Sequence, residues 1–122
     1  GNLVHLCNIF SVNTTTFNIH QIIDELHPTP AVGGIPKTEG IKFLSKNENF
    51  DRSFYTGFFG PIAYANKVDL FVNLRCAQIT DQVVKFYVGA GITSASIADR
   101  EWEETQKKAQ TLLKAIPLKD FI

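Results

Sequence analysis

At 122 residues the chain has room for one domain and one modest core. Twelve basic residues balance twelve acidic ones and 44% of residues are hydrophobic. That composition excludes wholesale disorder and argues against a nucleic-acid partner, which calls for a basic excess. No apolar run reaches about 18 residues, so no membrane-spanning helix is expected. The opening Gly1-Asn2-Leu3-Val4-His5 lacks the basic and apolar regions of a signal peptide. Methionine is absent and the chain opens straight into an alternating pattern, as expected of a piece of a longer protein. Cys7 and Cys76 lie far apart in strand-like segments. They are expected to be reduced, buried thiols rather than a disulfide, which points to the cytoplasm.

Residues 3–12 alternate, with Leu3, His5, Cys7 and Ile9 on one face, and predict a strand. After a polar loop, Ile19, Ile22, Ile23 and Leu26 repeat at helical spacing, with Asn18 as cap and Pro28 and Pro30 as stops. Residues 31–36 are expected to be a loop. Pro36 suits the first turn of a second helix over 37–46, which Gly40 weakens by about 1 kcal/mol relative to alanine. Three apolar runs follow, 54–64, 68–78 and 83–93, separated by Asn66-Lys67 and Thr80-Asp81-Gln82 as in an antiparallel meander. A last helix is expected from Asp99 to Ile116, stopped by Pro117, with Trp102, Ala109, Leu112, Leu113 and Ile116 as its buried stripe. The order β-α-α-β-β-β-α predicts an α+β fold, a mostly antiparallel sheet with helices on one side.

The last helix carries the most suggestive chemistry. Glu101, Glu104 and Lys108 fall within roughly 60° of one another on its surface. Two acids one turn apart suit magnesium, which prefers carboxylate oxygens and keeps several waters. The same spacing also describes a solvated helix with a Glu104–Lys108 ion pair worth about 0.3–0.5 kcal/mol. Arg75 ends an apolar strand; its guanidinium fork suits a ligand carboxylate, or it lies on a solvated sheet face. Tyr55, before Gly57 in another predicted strand, offers a phenolic hydrogen bond or simply fills the core. Gly89 and Gly91 flank Ala90 at a strand end, where glycine allows either close approach of a ligand to the main chain or a bend. His5 sits among apolar strand residues as a core histidine would. His27 precedes a proline turn and is expected to cap local structure, and His20 has no assigned role.

The order of these elements is more specific than any one of them. Leu26-His27-Pro28-Thr29-Pro30-Ala31-Val32-Gly33-Gly34, Pro36, Arg52, Tyr55, Gly57, Gly60, Leu74-Arg75-Cys76, Gly89-Ala90-Gly91-Ile92, Ser96, Glu101-Trp102, Glu104-Thr105 and Lys108 together resemble the chorismate-binding enzyme family. The resemblance runs from about His5 to Leu113 and is nearest to the isochorismate-forming branch. It implies that residues 1–122 are the C-terminal portion of a chorismate-binding domain, a large α/β sandwich whose larger, N-terminal portion is absent. Gly40 stands where the family more often has alanine, a departure that concerns helix stability.

By this resemblance Glu104 binds Mg2+ directly, with Glu101 assisting, and the metal holds the ring carboxylate of chorismate. Lys108 and the main chain at Gly89 and Gly91 also face carboxylates. Arg75 and Tyr55 hold the enolpyruvyl carboxylate, and His5 matches the substrate-side histidine. Ala31 stands where lyase relatives, which release pyruvate to give anthranilate, aminodeoxychorismate or salicylate, usually carry threonine. Alanine implies an enzyme that stops at isochorismate, in menaquinone or siderophore biosynthesis. The family's base lysine and acid glutamate match no position in this chain, so it is expected to be inactive alone. A non-catalytic binding module is the alternative of another class. A sandwich cut in this way is expected to expose an apolar sheet face and to self-associate.

Overall fold

A computed structural model describes residues 8–11, 18–62 and 67–116. Helix α1 (Ile19–Leu26) is closed at its start by a capping box. The Asn18 side chain accepts from the His20 amide at 2.9 Å, and the Gln21 side chain accepts from the Asn18 amide. His27 is the C-cap residue, its amide donating to the Ile23 carbonyl, while its ring meets Phe58 edge-on at 5.2 Å. The expected capping role of His27 is therefore what the fold uses. The last turn of α1 has no basic residue of its own. Lys37 supplies the charge from outside, its Nζ donating to the Glu25 carbonyl at 3.0 Å.

Residues 31–33, part of the expected 31–36 loop, instead wind with Pro30 into a short helix, α2 (Pro30–Gly33), with proline at its first position. Helix α3 (Lys37–Asn47) starts after Pro36, as the sequence predicts. Gly40 is more than a weak point in α3. A β-carbon there would run into the Gly33 carbonyl oxygen and lie 3.0 Å from the Gly34 α-carbon. The absent side chain is what lets α2 and α3 approach.

The architecture is α+β, with short antiparallel strands and, among the described residues, no closed barrel. The three apolar runs make two small sheets rather than one meander. Strand β1 (Phe58–Phe59) pairs with β2 (Phe71–Val72), and β3 (Cys76–Ile79) pairs with β4 (Val84–Tyr87). The single strand expected over 68–78 is broken at residues 73–75. Asn73 carries the β1–β2 pairing one step further: its amide donates to the Gly57 carbonyl at 2.7 Å and its carbonyl accepts from the Thr56 amide at 2.8 Å. Those bonds close the turn at 53–57, so Tyr55 stands in a turn and not in the expected strand. Thr80 and Val83 close the β3–β4 hairpin through three mutual hydrogen bonds. The strand expected over 3–12 falls largely outside the described residues. Residues 8–11 are exposed and unpaired among the described residues, and so form no strand.

Helix α4 (Ala98–Ala115) follows the expected course and docks on β4. Its inner face differs from the expected stripe. Glu101, Thr105, Lys108, Ala109, Leu112 and Ile116 are half-buried, whereas Trp102 is 67% exposed and Leu113 is also exposed. Ala109, Leu112 and Ile116 of the expected stripe face inward beside Lys108, which reaches the Gly89 carbonyl in the neighbouring loop.

The core is small. Tyr55, 8% exposed, is the one buried large hydrophobic residue among those described, packed 5.9 Å from the Tyr87 ring. Phe58, Phe59, Phe71 and Leu74, on and beside the first sheet, are exposed. No helix among the described residues is long and apolar enough to cross a membrane.

Candidate functional site

Four expected residues meet where β4 runs into the loop before α4. Lys108 on α4 is the hub. Its Nζ donates to the Gly89 carbonyl at 2.8 Å and pairs with Glu104 Oε1 at 2.5 Å, one turn back on the same helix. The lysine side chain is 25% exposed and the glutamate 53%, so the amine is anchored while the carboxylate faces outward. Lys108 holds the Glu104 carboxyl below the usual carboxylate range, first by the hydrogen bond and then by its charge, and Arg75 and Lys107 add to the effect. Glu104 is thus an anion throughout the neutral range. Arg75 lies exposed in the bend between β2 and β3, near enough to act on that carboxylate.

Tyr55 approaches from the other side. A β-carbon on Gly89 would sit 2.5 Å from the Tyr55 hydroxyl. The close approach that glycine permits at 89 is therefore already filled by this chain's own phenol. Gly91 is different, because a β-carbon there meets nothing within 4 Å. Of the two glycines, it alone leaves open space beside the main chain. Burial raises the Tyr55 phenol, with the Arg52 charge opposing.

Glu101 is half-buried, one turn before Glu104 on α4. Among the described residues no third acid, histidine or cysteine joins the two to make a cluster able to hold a metal. Ala31 is exposed on α2, next to Val32, whose carbonyl accepts from Arg52 at 3.0 Å. His5 lies outside the described residues. Cys76 is a free, half-buried thiol raised chiefly by burial, and Cys7 lies outside the described residues.

The Glu104–Lys108–Gly89 arrangement is an open surface. One groove runs along β4 past Phe50, Gln78, Lys85 and Tyr87, and another lies between α2, α3 and the 53–57 turn. Neither includes Glu104 or Lys108. Sequence reasoning gave Arg52 no role, yet it contacts Glu48, Val32 and Thr56 at once. Its place in the series that carries the family resemblance was the signal for it.

An acidic-and-basic helix face is thus held against a glycine-containing strand end, and comparison with known proteins gives the chain a family. The chain matches the model of the family described as chorismate binding enzyme over residues 1–117. It is 36% identical to the vibriobactin-specific isochorismate synthase of Vibrio cholerae over 104 residues, 84% of this chain and 26% of that protein. It is 37% identical to isochorismate synthase DhbC of Bacillus subtilis, covering 79% of this chain and 24% of that protein. It is also 33% identical to anthranilate synthase component 1 of Aquifex aeolicus, covering 80% and 20%. No solved structure matches. The chain belongs to the chorismate-binding enzyme family. It spans about a quarter or less of the length of these relatives.

Proposed function

We propose that this chain carries the metal-and-carboxylate clamp of a chorismate-binding enzyme, and that the complete protein is a magnesium-dependent isochorismate synthase. The observation that carries the reading is Lys108, held at once by the Gly89 carbonyl and the Glu104 carboxylate. That arrangement presents a fixed ammonium and a fixed anion one turn apart, beside the open main chain of Gly91.

The roles follow from the chemistry of each group. Lys108 keeps a donor free for a ligand carboxylate, since an ammonium has three and two are engaged. The Gly91 amide offers a main-chain donor where no side chain intervenes. Arg75, exposed and close to the Glu104 charge, suits a second carboxylate. The Tyr55 hydroxyl, held at Gly89, is a neutral donor. Magnesium takes one or two carboxylates and fills its remaining positions with water and ligand oxygens, so Glu104 with Glu101 fits it. When bound, the metal would neutralise the ring carboxylate. His5 and Ala31 complete the substrate side in this reading.

Forming isochorismate adds water at ring carbon 2 and expels the hydroxyl from carbon 4. A base must take a proton from the water and an acid must protonate the departing hydroxyl, one on each face of the ring. Lys108 and Glu104 neutralise each other and stand side by side, which suits neither task. The chain alone is therefore expected to give no turnover when incubated with chorismate and Mg2+, while appreciable isochorismate would overturn the assignment of a clamp without proton transfer.

The anthranilate synthase relative favours a second reading, a lyase that releases pyruvate. Ala31 argues against it by family resemblance. Product analysis of the complete gene product with chorismate and Mg2+ and without ammonia separates the two. Isochorismate without pyruvate supports the synthase, and pyruvate with an aromatic product moves the protein to the lyase branch. Isochorismate would serve menaquinone or siderophore synthesis.

The same reading includes self-association of the chain. Phe58, Phe59 and Phe71 on the first sheet and Trp102 on α4 are exposed, and apolar surface of that kind is covered in stable folds. A second copy would cover it in isolation. Sedimentation across a concentration series is expected to show a dimer or larger species, and a monomer at every concentration would contradict this.

A further inference from the structure

The turn that carries Tyr55 is strained. Ser53 has φ 50° and Thr56 has φ 67°, left-handed values that are uncommon outside glycine and costly for a β-branched residue such as threonine. Thr56 is also buried. A strained turn persists only where its surroundings hold it, and here two residues do so. Asn73 binds the Thr56 amide, the Gly57 carbonyl and, through its side chain, the Phe54 carbonyl at 3.0 Å. Arg52 does the rest. Its Nη1 donates to the Thr56 hydroxyl at 3.2 Å and to the Val32 carbonyl at 3.0 Å, and its Nε donates to Glu48 Oε2 at 2.6 Å. Nη2 completes a two-pronged pair with Glu48 Oε1. Nearly all of the guanidinium's donors are used within the chain, so this arginine has little left for a ligand.

We propose that Arg52 is a positioning residue: it locks the strained 53–56 turn to α2 and to Glu48 at the end of α3, and so holds the Tyr55 hydroxyl beside Gly89. The guanidinium carbon lies 6.0 Å from the Tyr55 ring centroid, which adds a cation–π contact to the clamp. Through the Val32 carbonyl it joins Tyr55 to the helix bearing Ala31. A lysine has no fork with which to reach three partners at once. The link to chorismate rests on the function proposed above; the positioning of Tyr55 does not.

Titration of the Tyr55 phenol tests the positioning with no ligand present. The charged groups around it are Arg52, Glu48 and the Cys76 thiol, and burial is the main cause of its raised value. In Arg52→Met a turn that loses its clamp exposes the phenol, and its titration falls towards the ordinary tyrosine value. If Arg52 acts only as a nearby charge, removing it lifts the titration further, and that result overturns the proposal. A second variant covers general damage. Arg52→Met combined with Thr56→Gly relieves the strain at its source, so it is expected to restore much of the wild-type titration. A double variant as disturbed as Arg52→Met alone also counts against the clamp. Chorismate affinity gives the second readout. Arg52→Met and Tyr55→Phe are each expected to weaken it about tenfold, and the combination to weaken it no more than Tyr55→Phe alone. Fully additive losses overturn positioning through Tyr55. Absence of chorismate binding in the wild type, with the phenol titrations as expected, sinks the functional reading and leaves the positioning role standing.

Discussion

Replacing Gly40 by alanine is expected to destabilise the protein, against the ordinary helix preference. Alanine in the middle of a helix gains about 1 kcal/mol over glycine. At position 40 that gain is opposed by a steric cost, because the new methyl would run into the Gly33 carbonyl oxygen and crowd the Gly34 α-carbon. Both obstacles are main chain, so no side chain can swing aside. Overpacking of this kind costs about 1–3 kcal/mol, occasionally more. The obstructing atoms sit far inside contact range, which places the expected cost at the upper end and the net loss at about 1–2 kcal/mol. Thermal unfolding should show Gly40→Ala several degrees below the parent. Ser45→Ala, at an exposed position on the same helix, should melt at or slightly above it. A Gly40→Ala protein more stable than the parent would mean that α2 and α3 do not pack as described.

The second large effect separates the two glycines of the site. Gly89→Ala drives a methyl against the Tyr55 hydroxyl, and Tyr55 is the most buried aromatic residue described, with a rigid ring. Either the ring moves or the 88–90 strand end moves, and the second displaces the carbonyl that anchors Lys108. Gly89→Ala is therefore expected to lower both stability and chorismate affinity. Gly91→Ala meets open space and has no left-handed φ to strain, so its stability should match the parent. Its chorismate affinity should nevertheless fall about tenfold, equivalent to about 1.4 kcal/mol, because the methyl occupies the space a ligand needs to reach the main chain. Thermal melts and chorismate titrations on both variants check the pair. Unchanged affinity in Gly91→Ala would remove the open main chain from the site.

The helices were legible because their signals are local. Asn18 with Gln21, the proline stops and Pro36 fix α1 and the start of α3 within a few residues. The strands were harder. Residues 68–78 alternate well enough for one strand, and nothing local reveals that Asn73 binds the turn at 53–57 and that the strand breaks there. The same long-range bonds put Tyr55 in a turn, with a threonine at a φ that threonine rarely adopts. Trp102 shows the limit of an apolar stripe. Its size places it in the core on composition, but α4 docks by Lys108 and Leu112 and turns the indole outward. Gly40 reads as a weakness in sequence because its partner, the Gly33 carbonyl, becomes a neighbour only once α2 has wound and packed. Helical spacing makes the Glu104–Lys108 ion pair legible, whereas the bond from Lys108 to the Gly89 carbonyl joins residues far apart in sequence and no spacing on one helix reveals it. That Gly89 receives Tyr55 while Gly91 stays open was not legible either.

The clamp itself is tested most directly by titrating chorismate, with Mg2+ present, into the isotope-labelled chain and following its backbone amide resonances. Saturable shifts centred on Gly91, Glu104 and Lys108, with chorismate recovered unchanged, are the predicted result. An intact fold whose amides at those three residues do not respond, or shifts confined to the groove along β4, would contradict the assignment of this face as the carboxylate clamp.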